Sequence, residues 1–137
     1  MTDRAVLEEV VRGVYAARNA NDVDGILRHL EPDCRFRIVG NRLGPITIAV
    51  DTPNAVRGML EDLIANWDIT GMDTVGLHVD GDTVIVHRAG TIRFIPSDRR
   101  ESTEIIDKFT FRDRRITDVT EFVDTLFVAE TVGLLPG

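Results

Sequence analysis

The chain has 137 residues, 43% hydrophobic and 28% charged, a composition and length that suit one domain over 1–137 with a core needing neither metals nor disulfides. Its formal net charge of -7 and pI near 4.9 argue against a nucleic-acid partner, which needs a concentrated basic face. The one basic run, residues 112–115, is interrupted by Asp113.

Met1-Thr2-Asp3-Arg4 lacks the apolar stretch of a signal peptide, and no later window has the apolar length of a membrane span. A cytoplasmic chain with no membrane partner is expected. Helix one is expected after Thr2 as N-cap, with Val6, Leu7, Val10, Val11, Val14 and Ala17 at helical spacing. Asn19-Ala20-Asn21-Asp22 ends it. A short second helix carries Val23, Ile26, Leu27 and Leu30 and stops by Pro32. Residues 34–39 alternate as a strand, with Cys34, Phe36 and Ile38 on one face. Cys34 is the only cysteine, which excludes an internal disulfide, and it reads as a small buried hydrophobe. Residues 40–51 look irregular. Thr52 as N-cap and Pro53 at the first helical position then open a third helix. Its stripe is Val56, Leu60, Leu63, Ile64 and Trp67, with Trp67 anchoring it on the sheet.

From Thr70 onward the pattern is antiparallel strands at 74–79, 83–95, 102–112 and 116–124, with turns at Asp80-Gly81-Asp82 and Pro96-Ser97-Asp98, then an apolar tail over 126–135. Val84, Val86 and Ile92 lie on one face of their strand, Ile85 and Ala89 on the other, and Ile105 with Ile106 repeat the pattern. A sheet apolar on both faces is covered on both. Helices cover one face, and a second copy of the chain, forming a homodimer, is expected on the other.

The order helix, helix, strand, helix and long antiparallel meander, and above all the stretch Asp107-Lys-Phe-Thr-Phe-Arg-Asp-Arg-Arg-Ile-Thr-Asp-Val-Thr-Glu-Phe-Val-Asp124, resembles the SnoaL-like, nuclear-transport-factor-2-like family. The resemblance covers nearly the whole chain, although the turn at Asp113-Arg114-Arg115-Ile116 lacks the family's frequent glycine. It implies an α+β fold in which a cone-shaped, curved antiparallel sheet wraps around three N-terminal helices, a cystatin-like α+β barrel enclosing a mostly apolar pocket. Strand parity and the helix-three stripe assign Phe36, Ile38, Trp67, Val86, Ile92, Phe109 and Val119 to the ligand-binding wall. The expected ligand is a small, largely apolar molecule, bound without a cofactor.

The family includes isomerases, cyclases and epoxide hydrolases, and fold alone does not choose among them. Proton shuttling beside a carbonyl needs a carboxylate base and acidic donors. At the position matching the isomerases' base stands Ile38, and Val14 rather than Tyr15 aligns with their tyrosine. The hydrolases' arginine matches Arg88 and their base matches Glu121, but Gly90 stands where their acid would be. Paired positions summing to about 197 across the 83–95 and 102–112 strands would set Asp107 opposite Gly90 and return a carboxylate to that place. One bulged residue in the next hairpin would also set Asp107 opposite Glu121. Arg88, Asp107 and Glu121 are thus the candidate catalytic residues: Glu121 as base, Asp107 as acid, Arg88 as orienting cation, with Asp107 in charge-assisted contact with Arg88, Glu121 or both. The alternative is a non-catalytic binding or assembly protein in which the same charges form a structural ion pair. His29, His78 and His87 lack zinc-site spacing, so no metal is expected.

Overall fold

The computed structural model describes residues 3–40 and 47–135. Its elements are α1 (Arg4–Asn19), α2 (Val23–Leu27), β1 (Leu30–Ile38), β2 (Ile48–Val50), α3 (Pro53–Asn66), β3 (Trp67–Asp80), β4 (Thr83–Phe94), β5 (Arg99–Arg112), β6 (Arg115–Phe122) and α4 (Thr125–Thr131).

Three short polar side chains start the helices at which they stand. Asp3 caps α1 by accepting from the Ala5 N–H, Asp22 caps α2 through Gly25, and Thr52 caps α3 through Ala55. Thr2, expected as the first cap, lies outside the described residues. In α1, Leu7, Val11 and Val14 are buried; in α3, Val56, Met59 and Leu60 are. Leu30 does not extend α2 as its spacing suggested. It begins β1 and pairs with Ile116 of β6, so a long-range strand contact overrides local periodicity. Trp67 likewise leaves the helix stripe. It begins β3 opposite Phe94 and packs on the rings of Phe94 and Phe127, with centroids 4.7 and 6.3 Å away.

The six strands form one sheet in the order β2-β1-β6-β5-β4-β3. Four pairings are antiparallel, but β1 and β6 run parallel, so the sheet is mixed rather than antiparallel throughout. Parallel neighbours need a long crossover. Here it is the whole chain from β2 to β5. The expected tail is partly helical: Asp124 accepts from the Phe127 N–H and starts α4. Arg99 of β5 holds that helix down, with its guanidinium 5.4 Å over the Phe127 ring and 3.7 Å from the Glu130 carboxylate. Among the described residues no helix is long and apolar enough to cross a membrane.

Two registers position the site. The β4–β5 connection is a tight 3-10 turn over Ile95–Ser97, followed by Asp98 in the left-handed conformation at φ 56°. The strands therefore begin pairing earlier than expected, at Phe94 and Arg99, and Asp107 faces Val86 rather than Gly90. The slip is an even number of residues, so Asp107 keeps its inward face. In the β5–β6 hairpin a bulge between Thr110 and Phe111 brings Asp107 directly opposite Glu121.

Bulges in β3 after Asp68 and after Thr74 bend the sheet. At the first of these the chains approach so closely that a Cβ on Gly90 would collide with the Gly71 carbonyl, and Gly90 itself has φ +145°. Gly90→Ala should therefore lower the unfolding free energy by about 3 kcal/mol, from backbone strain plus the clash. Urea denaturation tests this; a loss below about 1 kcal/mol would show that the bend tolerates a side chain.

Candidate functional site

The helices and the inner face of the sheet enclose a cavity of about 230 Å³. Phe36, Ile38, Trp67, Ile92, Phe109 and Val119 line it, as do Met72 and, from the C-terminal segment, Phe127 and Val128. Val86 does not. It points inward but is completely enclosed in the main core cluster, so packing closes the inner face at that point.

Five side chains supply most of the polar wall: Tyr15, Arg18, Arg88, Asp107 and Glu121. Asp107 is 4% exposed, and its Oδ2 accepts a hydrogen bond from the Tyr15 hydroxyl at 2.6 Å. Its other oxygen, Oδ1, is buried and receives no bond from any permanent donor. The Glu121 carboxyl, directly opposite on the neighbouring strand, can supply one only while it carries a proton. Burial raises the pKa of both acids. Glu121 is pushed well above the ordinary carboxylate range, first by burial and then by the Asp107 charge beside it. The two acids therefore share a proton and titrate as a unit, with the Tyr15 hydroxyl favouring the charge on Asp107. Glu121 retains some accessible surface and lines the cavity. Burial and the neighbouring Asp107 also raise the Tyr15 pKa, which keeps the phenol a neutral donor.

Arg88 is 6% exposed and stacks over the Tyr15 ring at 4.2 Å. Nη1 donates to Thr74 Oγ1 at 2.9 Å and Nη2 to the Met72 carbonyl at 3.2 Å. Of the expected Asp107 contacts, the one with Arg88 does not form: among the described residues no carboxylate lies within 4.0 Å of Arg88. The register explains this. Asp107 sits opposite Val86, while Thr74 is the direct cross-strand neighbour of Arg88 and takes its side chain. Asp107 finds its contacts in Glu121 and Tyr15 instead.

Tyr15 and Arg18 were not among the expected site residues. Both lie on the stripe that Leu7, Val11 and Val14 begin, and an arginine continuing an apolar stripe was the available signal. Arg18 donates to the Leu63 carbonyl at 3.2 Å and the Trp67 carbonyl at 2.5 Å, closing the C-terminal end of α3. Burial lowers its pKa, opposed by Glu121 and Asp68. Cys34 is 1% exposed with its thiol pushed up to about 12, chiefly by burial, which makes it unreactive. His87 pairs with Glu104 at 2.7 Å, away from Arg88. No group of three or more His, Cys, Asp or Glu side chains among the described residues is placed to hold a metal.

A cavity holding two adjoining carboxyls that share a proton, and a phenol, can accept and return protons within hydrogen-bond reach of one ligand. Solved structures share the fold. A Bacillus subtilis protein provisionally named an isomerase superimposes with a TM-score of 0.82 at 18% identity, covering 97% of this chain and 96% of its own. An NTF2-like protein of unknown function from Burkholderia pseudomallei gives 0.81 at 16% identity, with 91% and 95% covered. A protein from Jannaschia sp., provisionally named a SnoaL-like polyketide cyclase, gives 0.79 at 19% identity, with 99% and 100% covered. No curated protein matches the chain significantly. The SnoaL-like domain model matches residues 11–119, and the chain belongs to the SnoaL-like family.

Proposed function

We propose that the protein is a cofactor-independent acid–base catalyst, of hydrolase, cyclase or isomerase type, acting on a small, largely apolar molecule. The observation that carries this reading is the placing of two carboxyls, Asp107 and Glu121, directly opposite each other on neighbouring strands at the wall of an apolar cavity. Two adjoining carboxyls with separated protonation states provide a base and an acid together. Their roles are the reverse of those expected from the sequence: Asp107, held ionised by the Tyr15 hydroxyl, is the base, and protonated Glu121 is the acid. Arg88 orients Tyr15 through its stacked ring. A second reading, a non-catalytic binding protein of the same fold, is favoured by the Arg88 bonds to Thr74 and the Met72 carbonyl, which tie β4 to β3.

A panel of small enolisable ketones and epoxides in D2O, followed by NMR, tests catalysis. Wild type should exchange α-protons or open the ring. Asp107→Asn and Glu121→Gln should each slow this by about 100-fold or more while remaining folded. Wild-type rates no faster than buffer across the panel, or rates untouched by both substitutions, would instead support the binding protein.

The outer sheet face suits a second copy of the chain, because Ile85 and Phe122 remain 38% and 45% exposed there. Light scattering at micromolar concentration should give twice the 15.3 kDa chain mass; a monomer would reject the dimer.

A further inference from the structure

We propose that the cavity's ligand is an organic monoanion, an apolar body of about one ring bearing a carboxylate, and that Arg88 binds its charge. This deepens the functional reading above and rests on the cavity being the ligand site.

A guanidinium carries five N–H donors and stays charged at all working pH values. In Arg88 two of them are occupied, by Thr74 Oγ1 and the Met72 carbonyl. Among the described residues the other three meet no protein acceptor, although the side chain is buried and lines the cavity. A buried cation without a contact anion is costly, and a ligand anion removes that cost.

The neighbours of Arg88 leave that place open. On α1 is the neutral phenol of Tyr15; on β3 are Met72 and Thr74; on β5 the inward residues nearest in register are Thr103 and Ile105. The closest inward acid on β5 is Asp107, and its hydrogen bonds already go to Tyr15 and Glu121. Arg18 adds a second guanidinium to the wall, while Asp124 at the rim is engaged with the start of α4. The wall thus carries two guanidiniums, Arg88 and Arg18, and three acids, of which Asp107 and Glu121 pair with each other and Asp124 caps α4. Because Tyr15 covers one flat face of Arg88, the donor edge remains for a planar, two-oxygen partner. The rest of the wall, including Met72, Ile92 and Ile105, is apolar. Its volume of about 230 Å³ exceeds the ~150 Å³ of an engineered cavity that holds benzene, which suits one substituted ring.

Isothermal titration with 4-methylbenzoate and 4-methylbenzamide, planar isosteres that differ in charge, tests the proposal. At neutral pH and low salt the acid should bind wild type at least about tenfold more tightly than the amide. Arg88→Met should bring the two within about twofold of each other, chiefly by weakening the acid. Arg88→Lys, which keeps the charge but not the planar donor edge, should retain only part of the preference, and it decides the matter if Arg88→Met does not fold. An amide that binds as well as the acid, or a preference that survives intact in the folded variants, overturns the anion proposal and leaves the acid–base reading standing. Absence of binding by both probes at millimolar concentration overturns the proposal together with the cavity as ligand site. Failure of the acid–base reading shows separately, as absent turnover with the acid preference intact.

Discussion

Two carboxyl groups meet on the wall of an apolar cavity, and they can stay there only while one proton lies between them. Asp107 and Glu121 are direct cross-strand neighbours, and cross-strand side chains stand about 5 Å apart at the Cβ. Two ionised carboxylates at that separation and that burial would repel strongly, with no cation in contact to compensate. One shared proton turns the same geometry into a hydrogen bond, and the Tyr15 hydroxyl completes it from the other side.

Much of the fold bears on that contact. The bulge at Thr110/Phe111 sets the register that joins the two acids. The parallel insertion of β1 beside β6 places Ile38 next to Glu121, so an apolar residue shields the proton-bearing group. Helix α1 delivers Tyr15, and Arg88 holds the ring from beneath while its own bonds fasten β4 to β3. Arg18 and Trp67 tie the end of α3 to the cavity wall, and α4 covers it under the grip of Arg99.

The helices and the inward faces of the strands were legible in the sequence because capping residues and period-2 alternation are local signals. Thr52-Pro53 and the inward set Cys34, Phe36 and Ile38 are instances, and all three of that set are buried. The parity of Asp107 was readable for the same reason. Its partner was not. A 3-10 turn shortened the β4–β5 connection and moved Asp107 from Gly90 to Val86, leaving Arg88 to bond across to β3. At Gly90, where the resemblance implied an acid, the Gly71 backbone leaves no room for a side chain. Tyr15 was legible as a helix residue, but its bond to Asp107 spans 92 positions and no local pattern encodes it. The parallel β1–β6 pair and α4 depend in the same way on long-range packing.

The shared proton is most directly tested by stability against pH in wild type and Glu121→Gln. Both acids have folded pKa values raised above their ordinary 3.8 and 4.5. The stability this contributes is fully present below those ordinary values and is lost as pH rises through the elevated folded ones, because there the folded state holds more protons than the unfolded state. Relative to Glu121→Gln, the unfolding free energy of wild type should therefore fall with rising pH, by up to about 1.4 kcal/mol per pH unit while one extra proton is held. A difference that stays flat, or grows with pH, would show that Glu121 ionises as an ordinary carboxylate and that no proton is shared.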